Sequence, residues 1–190
     1  NILKRDPWLR CWWLVIAIFG GLILTLGTEK SFALWGIKAT HPGFLDARAI
    51  TSGLECDAMG KDPLVENPCD VMGRPLNYPR VWLQLSRFGI NQSHTELIGH
   101  LMIVLFLFGL WLIPSRNPDW LETGLLLLTA FSPVAILGME RANIDLLMFF
   151  LVALGIAGMA SVTTSRKFLG GAAVLAGFIL KLYPLFGFAM

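Results

Sequence analysis

Five long apolar runs in a chain of 190 residues constrain the fold more than any other feature of the sequence. Each run carries few or no charges and approaches the roughly 20 residues with which a helix crosses the hydrocarbon layer of a bilayer. Hydrophobic residues make up 55% of the chain and charged residues 15%, which is more apolar than an ordinary soluble domain. The runs cover residues 11–28, 97–114, 121–139, 146–162 and 168–190.

These runs predict an all-α fold, because lipid cannot hydrogen-bond an exposed backbone and a helix satisfies its own. The fold class we expect is a polytopic transmembrane helical bundle with about five spans. Residues 1–10 form a short segment before the first span, and residues 29–96 form one large loop between the first two spans. Ser93 and Glu96 read as a capping box that opens the second span.

The orientation follows from basic residues in short loops, which favour the cytoplasmic side. Arg10, Arg116 and Arg166 mark three such segments, so the loop 29–96 and the turn 140–145 are expected on the outer face. A cleaved signal peptide is the alternative for the first run, although no small-residue cleavage site follows it. The chain starts without Met and stops inside an apolar run, so we expect a fragment of a longer protein.

The charge distribution and the lack of internal repeats argue against some classes of function. The net charge is only +2 and the basic residues are spread along the chain, whereas a nucleic-acid-binding surface would be clustered. We expect no nucleic acid among the partners. The sequence shows no internal repeat of the kind that transporters often carry.

The loop 29–96 is too long to be a simple connector, and its aromatic residues and turn residues indicate an ordered structure. Two short helices are predicted, at residues 45–54 and 78–88, and both are expected to lie along the membrane surface. Asn91-Gln92-Ser93 is formally a glycosylation acceptor, which matters only in the endoplasmic reticulum.

Two of the three cysteines, Cys56 and Cys69, lie in this loop, whereas Cys11 begins the first span. A disulfide between the two loop residues is predicted, because the outer face is the oxidising side. Two unpaired thiols are the alternative. No metal site is predicted, because a structural zinc usually needs four ligands and no histidine lies close in sequence.

Charged groups in or beside a span are costly and call for an explanation. Lys181 lies thirteen residues after Phe168, which places it roughly 20 Å from the cytoplasmic start of its span. Snorkelling toward the headgroups is the alternative to a functional role. Asp46 begins the first loop helix, where a carboxylate also interacts favourably with the helix dipole. His100 is assigned no chemistry.

A polar turn joins the third and fourth spans on the same face, and local ion pairing is its simplest explanation. It contains Glu140, Arg141, Asn143 and Asp145. Asp46, Arg141 and Lys181 come from distant parts of the chain yet are expected at one membrane face. Cations there suit a lipid phosphate, and a carboxylate suits removal of a proton from an incoming hydroxyl.

Three stretches carry a resemblance to a known family. They are Phe44-Leu45-Asp46 continuing through Gly60-Lys61-Asp62-Pro63, then Glu140-Arg141-Ala142-Asn143-Ile144-Asp145, and finally Lys181-Leu182-Tyr183-Pro184. With these stretches the chain resembles the GT-C integral-membrane glycosyltransferases, and most closely glycosyltransferase family 87. Ala142 stands where the family usually has Gly.

The resemblance implies transfer of a sugar, a mannose-like hexose or a pentose, from a polyprenyl-phosphate donor to an extracytoplasmic lipid, glycan or protein acceptor, with inversion. Asp46 would be the general base, and Arg141 and Lys181 would bind the donor phosphate. Possible supporting residues are Asp62, Glu140 and Asn143. The scheme needs no cofactor and leaves room for a divalent metal. The implied location is the plasma (inner) membrane of a bacterium, with the active site facing outward.

Two other functions remain open from the sequence. A transporter or flippase for a lipid-linked or anionic solute would also place charges within the membrane. A non-catalytic membrane assembly protein is the third hypothesis. Transport favours charges at the midplane or at both faces, whereas the notable charges here are expected at one face, which favours the enzyme.

Overall fold

A computed structural model of the chain describes residues 7–113 and 119–181. All regular structure within these two ranges is helical. The α-helices are α1 (Pro7–Ala33), α2 (Leu45–Ala58), α3 (Thr95–Leu112), α4 (Trp120–Ala130), α5 (Pro133–Arg141), α6 (Asp145–Met159) and α7 (Thr164–Leu180). Two 3₁₀-helices, Arg80–Phe88 and Gln92–His94, lie between α2 and α3.

Two helical segments, Gln92–Leu112 and Leu121–Arg141, are long and apolar enough to cross a membrane by length and composition. Val15–Gly27 and Asp145–Met159 are shorter apolar helices. One face of α3 is both apolar and exposed, because its exposed residues recur every three or four positions. This face comprises Leu97, Leu101, Val104, Phe108 and Trp111. An exposed stripe of this kind agrees with a helix that faces lipid.

The predicted span 121–139 is divided into two helices in the structure. The α4 helix ends at Ala130, and α5 begins at Pro133, whose missing N–H is harmless in a first turn. The Oγ of Ser132 accepts a hydrogen bond from the backbone N–H of Ala135 at 3.2 Å and so caps α5. Trp35 stacks on the ring of Phe131, and its Nε1 donates to the Phe131 carbonyl at 2.8 Å. The break between α4 and α5 is therefore stabilised by hydrogen bonds.

The α6 and α7 helices pack backbone against backbone. A Cβ atom added at Gly158 would lie 2.6 Å from the carbonyl oxygen of Arg166 and 2.7 Å from the Cα of Gly170, both far inside contact distance. Only glycine fits such an approach. The predicted spans 146–162 and 168–190 correspond to α6 and to α7, and residues 182–190 lie outside the described residues.

The segment between α1 and α3 is folded. The predicted helix 45–54 is present as the longer α2, and most of its residues from Ala47 to Cys56 are buried. The predicted helix 78–88 is present as the 3₁₀-helix Arg80–Phe88. A disulfide joins Cys56 to Cys69, whose Cα atoms are 5.9 Å apart.

Trp82 connects this folded segment to the last described helix. Its ring is buried, and its Nε1 donates to the carbonyl of Leu180 at 3.1 Å. The end of α7 is therefore held beside the segment, which brings Lys181 close to residues that precede it by about a hundred positions.

Candidate functional site

A cavity of about 740 Å³ lies where α2, the segment 74–79, the turn between α5 and α6, and the end of α7 meet. Its polar lining residues are Asp46, Arg74, Asn77, Tyr78, Asn143 and Lys181. Three of these, Asp46, Asn143 and Lys181, were proposed as site residues from the sequence, and the structure brings them together. Arg74 and Tyr78 were not singled out.

Asp46 is the second residue of α2. Its side chain is 16% exposed, and its Oδ2 accepts a hydrogen bond from Asn143 Nδ2 at 2.7 Å. Its Oδ1 lies 3.8 Å from Nη1 of Arg74. A carboxylate offers about four lone-pair sites, so these contacts leave acceptor capacity toward the cavity.

The residue before α2 is Phe44, which adopts left-handed backbone angles with φ 57°. A bulky side chain rarely adopts this conformation, so its surroundings must hold it there. The Phe44 ring makes an edge contact with His100, with centroids 5.1 Å apart. A Cβ added at Gly99 would lie 2.5 Å from the same ring, so the glycine in α3 makes room for it. These contacts fix the start of α2 and thus the position of Asp46.

Asn143 is oriented by the turn between α5 and α6. Its Oδ1 accepts from the backbone N–H of Asp145 at 2.9 Å, which leaves Nδ2 to donate to Asp46. The preceding residue, Ala142, has φ 47° and is fully buried. The backbone N–H of Asn143 donates to the carbonyl of Gly138 at 2.8 Å, which closes the end of α5.

Arg74 is anchored by hydrogen bonds within the protein. Its Nη2 donates to the Leu45 carbonyl at 2.8 Å, and its Nε donates to Asp70 Oδ2 at 3.0 Å. Burial raises the pKa of Asp70, but hydrogen bonds from the Arg74 side chain and backbone outweigh it, so the pKa is lowered overall. The hydrogen bond to Asp70 likewise raises the pKa of Arg74. Arg74 is therefore a fixed, permanently charged group at the cavity wall.

Lys181 follows α7 and is 28% exposed. Its Nζ donates to Asp145 Oδ1 at 2.6 Å and lies 5.9 Å from the centroid of the Tyr78 ring. Burial, followed by the nearby carboxylates of Asp46 and Asp145, raises the pKa of Tyr78 to about 12. Tyr78 is thus a neutral donor at physiological pH.

The other site residues proposed from the sequence lie elsewhere. Arg141 is exposed and is not among the described residues that line the cavity. Asp62 accepts hydrogen bonds from Arg80 Nη2 at 2.6 Å and from the backbone N–H of Leu64 at 3.1 Å. The bond from Arg80 is the main cause of its lowered pKa. Asp62 thus stabilises the fold of the segment.

Glu140 is buried, with 3% of the residue exposed. Its Oε1 accepts hydrogen bonds from the backbone N–H and from Oγ1 of Thr40, both at 2.6 Å. Its Oε2 has no hydrogen-bond partner within the part of the chain that the structure describes. An unmet buried polar group costs about 1–3 kcal/mol, so this oxygen needs a separate explanation.

No group of three or more His, Cys, Asp or Glu side chains is placed to hold a metal ion among residues 7–113 and 119–181. No protein-family model, curated protein or solved structure matches the chain. The class of the protein is described here from its fold and its cavity alone. The described chain is an all-helical protein with two helices that could span a membrane, and its cavity sets a carboxylate beside two cations.

Proposed function

We propose that the chain is part of a polytopic membrane glycosyltransferase that moves a sugar from a polyprenyl-phosphate donor to an acceptor at the extracytoplasmic face. The observation that carries this proposal is the cavity that Asp46, Arg74 and Lys181 line together. A phosphate leaving group needs the cations, and an acceptor hydroxyl needs the carboxylate. The five-span arrangement, with 29–96 outside, is part of the proposal.

Asp46 is the proposed general base. As the acceptor oxygen forms its bond to the anomeric carbon, its proton passes to a carboxylate oxygen of Asp46. The bond from the anomeric carbon to the phosphate oxygen breaks on the opposite face, and the polyprenyl phosphate leaves with the electron pair. The Asn143 amide supports this role because it fixes Oδ2 at 2.7 Å.

Arg74 and Lys181 are the proposed phosphate ligands. Arg74 takes the role that the sequence suggested for Arg141, because Arg74 lines the cavity and is already ordered by Asp70. Lys181 brings a second positive charge to the lining of the same cavity. The neutral Tyr78 hydroxyl supplies a further donor for the phosphate oxygens. Each preorganised donor of this kind typically stabilises the transition state by about 2.7–4 kcal/mol.

Transfer of labelled sugar from a panel of polyprenyl-phosphate donors, measured with the full-length protein in liposomes, tests the proposal. We expect transfer from one donor class, with release of polyprenyl phosphate in equal amount. Movement of intact donor across the bilayer without release of polyprenyl phosphate would overturn the enzyme hypothesis and show that the protein is a flippase. The absence of both transfer and movement with every donor would also overturn the enzyme hypothesis.

A further inference from the structure

The end of α7 is capped by a side chain from a distant part of the chain. The last carbonyls of a helix have no donors within that helix, and in α7 the final carbonyl belongs to Leu180. Trp82 supplies a donor to it through the indole Nε1, at 3.1 Å. An indole nitrogen can only donate, so a carbonyl at a helix end is a suitable partner. This bond joins the 3₁₀-helix Arg80–Phe88 to α7.

The bond fixes the peptide group that leads into Lys181. The carbonyl of Leu180 and the N–H of Lys181 belong to one planar unit. Trp82 holds the carbonyl, and the N–H of Lys181 donates to the Gly177 carbonyl at 2.9 Å. Both polar atoms of the unit are therefore held at the point where the chain leaves the helix and becomes extended, with φ −158° at Lys181. The Lys181 side chain thus starts from a fixed backbone position.

The Trp82 ring also supports the far end of that side chain. The Tyr78 ring makes an edge contact with the indole, with centroids 6.4 Å apart. The Nζ of Lys181 lies 5.9 Å from the centroid of the Tyr78 ring, within the distance of about 6 Å at which a cation is attracted to an aromatic face. Trp82 is itself buried, and its backbone N–H donates to the Pro79 carbonyl at 3.1 Å. One fixed indole therefore acts on both the backbone and the ammonium group of the same lysine.

We propose that Trp82 is a positioning residue that places the ammonium group of Lys181 at the phosphate cavity. Lys181 lines that cavity, whereas Trp82 is not among the described residues that line it. Trp82 therefore acts on a ligand through Lys181 and does not touch the ligand. The inference rests on the proposed function for the identity of the ligand, whereas the placement of Lys181 can be measured without any ligand.

Trp82→Phe tests the indole N–H, because phenylalanine keeps an apolar ring beside Tyr78 but has no donor for the Leu180 carbonyl. Trp35→Phe is the matched control. The Trp35 Nε1 also donates to a backbone carbonyl almost a hundred positions away, that of Phe131 at 2.8 Å, and Trp35 is not among the described residues that line the cavity. Each variant removes one bond of the same kind, so a general loss of stability affects both alike.

The placement of Lys181 is measured in the full-length protein in nanodiscs, without donor. Acetylation by sulfosuccinimidyl acetate is followed by mass spectrometry, with Lys167 at the other end of α7 as the internal reference. In the wild type, the ion pair with Asp145 limits access of the reagent to Nζ. We expect Lys181 to react at least about threefold faster in Trp82→Phe, as for loss of one hydrogen bond, and at the wild-type rate in Trp35→Phe. Equal rates of Lys181 acetylation in the three proteins would overturn the inference, whatever the ligand.

Binding of the polyprenyl-phosphate sugar, measured by titration calorimetry, is the second test. Trp82→Phe should weaken binding about threefold to tenfold, whereas Trp35→Phe should bind like the wild type. Because Trp82 acts through Lys181, Trp82→Phe should cause no further loss of binding in a Lys181→Gln background. Unchanged binding in Trp82→Phe, or an equal further loss in the double variant, would overturn the positioning role. If Lys181 acetylation responds as expected but the wild type binds no polyprenyl-phosphate sugar, the placement of Lys181 by Trp82 stands and the proposed function fails.

Discussion

At the scale of single residues, the candidate site is held by hydrogen bonds between side chains and from side chains to the backbone. Asp46 is fixed by Asn143, and Arg74 is fixed by Asp70 and by the Leu45 carbonyl. These anchors come from the protein itself, so the proposed binding of a phosphate would use groups that are already positioned. Such preorganisation is what makes polar groups effective in a site.

Lys181→Gln should weaken binding of the polyprenyl-phosphate sugar about tenfold or more, because a hydrogen bond to a charged group is worth roughly 1.5–3 kcal/mol. Lys167→Gln is the matched control, since Lys167 is an exposed lysine at the opposite end of the same helix. Binding is measured by titration calorimetry with full-length protein. Equal affinities in the two variants would mean that Lys181 only snorkels and pairs with Asp145.

Asp70→Asn should destabilise the folded segment in a pH-dependent way. The lowered pKa of Asp70 means that its ionised form stabilises the fold, and this contribution is present above the ordinary value of 3.8. It is lost as the pH falls through the lowered folded value. Thermal unfolding should therefore separate wild type from variant at pH 7, and the two midpoints should converge in acid. A constant difference at every pH would contradict this account.

Three residues that the sequence analysis singled out line the cavity, and the reasons are visible in the residues themselves. Asp46, Asn143 and Lys181 stood out because polar groups at predicted membrane boundaries are unusual. Arg74 did not stand out, because it reaches the cavity only through the fold of the segment between α2 and Arg80–Phe88. That path depends on the contact of Trp82 with α7, which no short-range pattern reveals.

At the scale of elements, glycine controls how closely the last two described helices approach. Gly158→Ala places a methyl group 2.6–2.7 Å from backbone atoms of α7, which cannot yield as a flexible side chain would. We expect the helices to separate and the free energy of unfolding to fall by about 1–3 kcal/mol, as for overpacking of a tight core. Thermal unfolding of the purified protein provides the measurement.

Gly171→Ala is the control for that variant. It lies in α7 beside Gly170, but an added Cβ meets nothing within 4 Å. Alanine also favours a helix interior over glycine, so this variant should be neutral or slightly more stable. If both variants unfolded at the same temperature, the close approach of α6 and α7 would be refuted.

The apolar runs predicted where helices lie better than where they break. The pattern continues through residues 121–139, yet the chain divides at Ser132 and Pro133. The signals for a break were present, namely a capping Ser followed by Pro. The contact of Trp35 with the Phe131 carbonyl also lies at the break, and it joins residues almost a hundred positions apart. Local sequence cannot supply such information.

At the scale of the whole molecule, the cavity of the proposed site joins parts of the chain that are far apart in sequence. Asp46 comes from α2, Arg74 from the segment that follows it, and Lys181 from the end of α7. The proposed transfer of sugar from a lipid phosphate therefore depends on the packing of these elements against one another.

The most direct measurement of this account is the rate of sugar transfer by Asp46→Asn in the full-length protein, beside Asp57→Asn as a control. Asp57 lies in the same helix but outside the cavity, where its Oδ2 accepts from Ser86 Oγ at 3.2 Å. A positioned general base contributes about 10²- to 10⁴-fold, so Asp46→Asn should lose at least about a hundredfold in rate while it still binds donor. Asp57→Asn should transfer sugar normally. Near wild-type transfer by Asp46→Asn would contradict the account, because the asparagine cannot accept the proton.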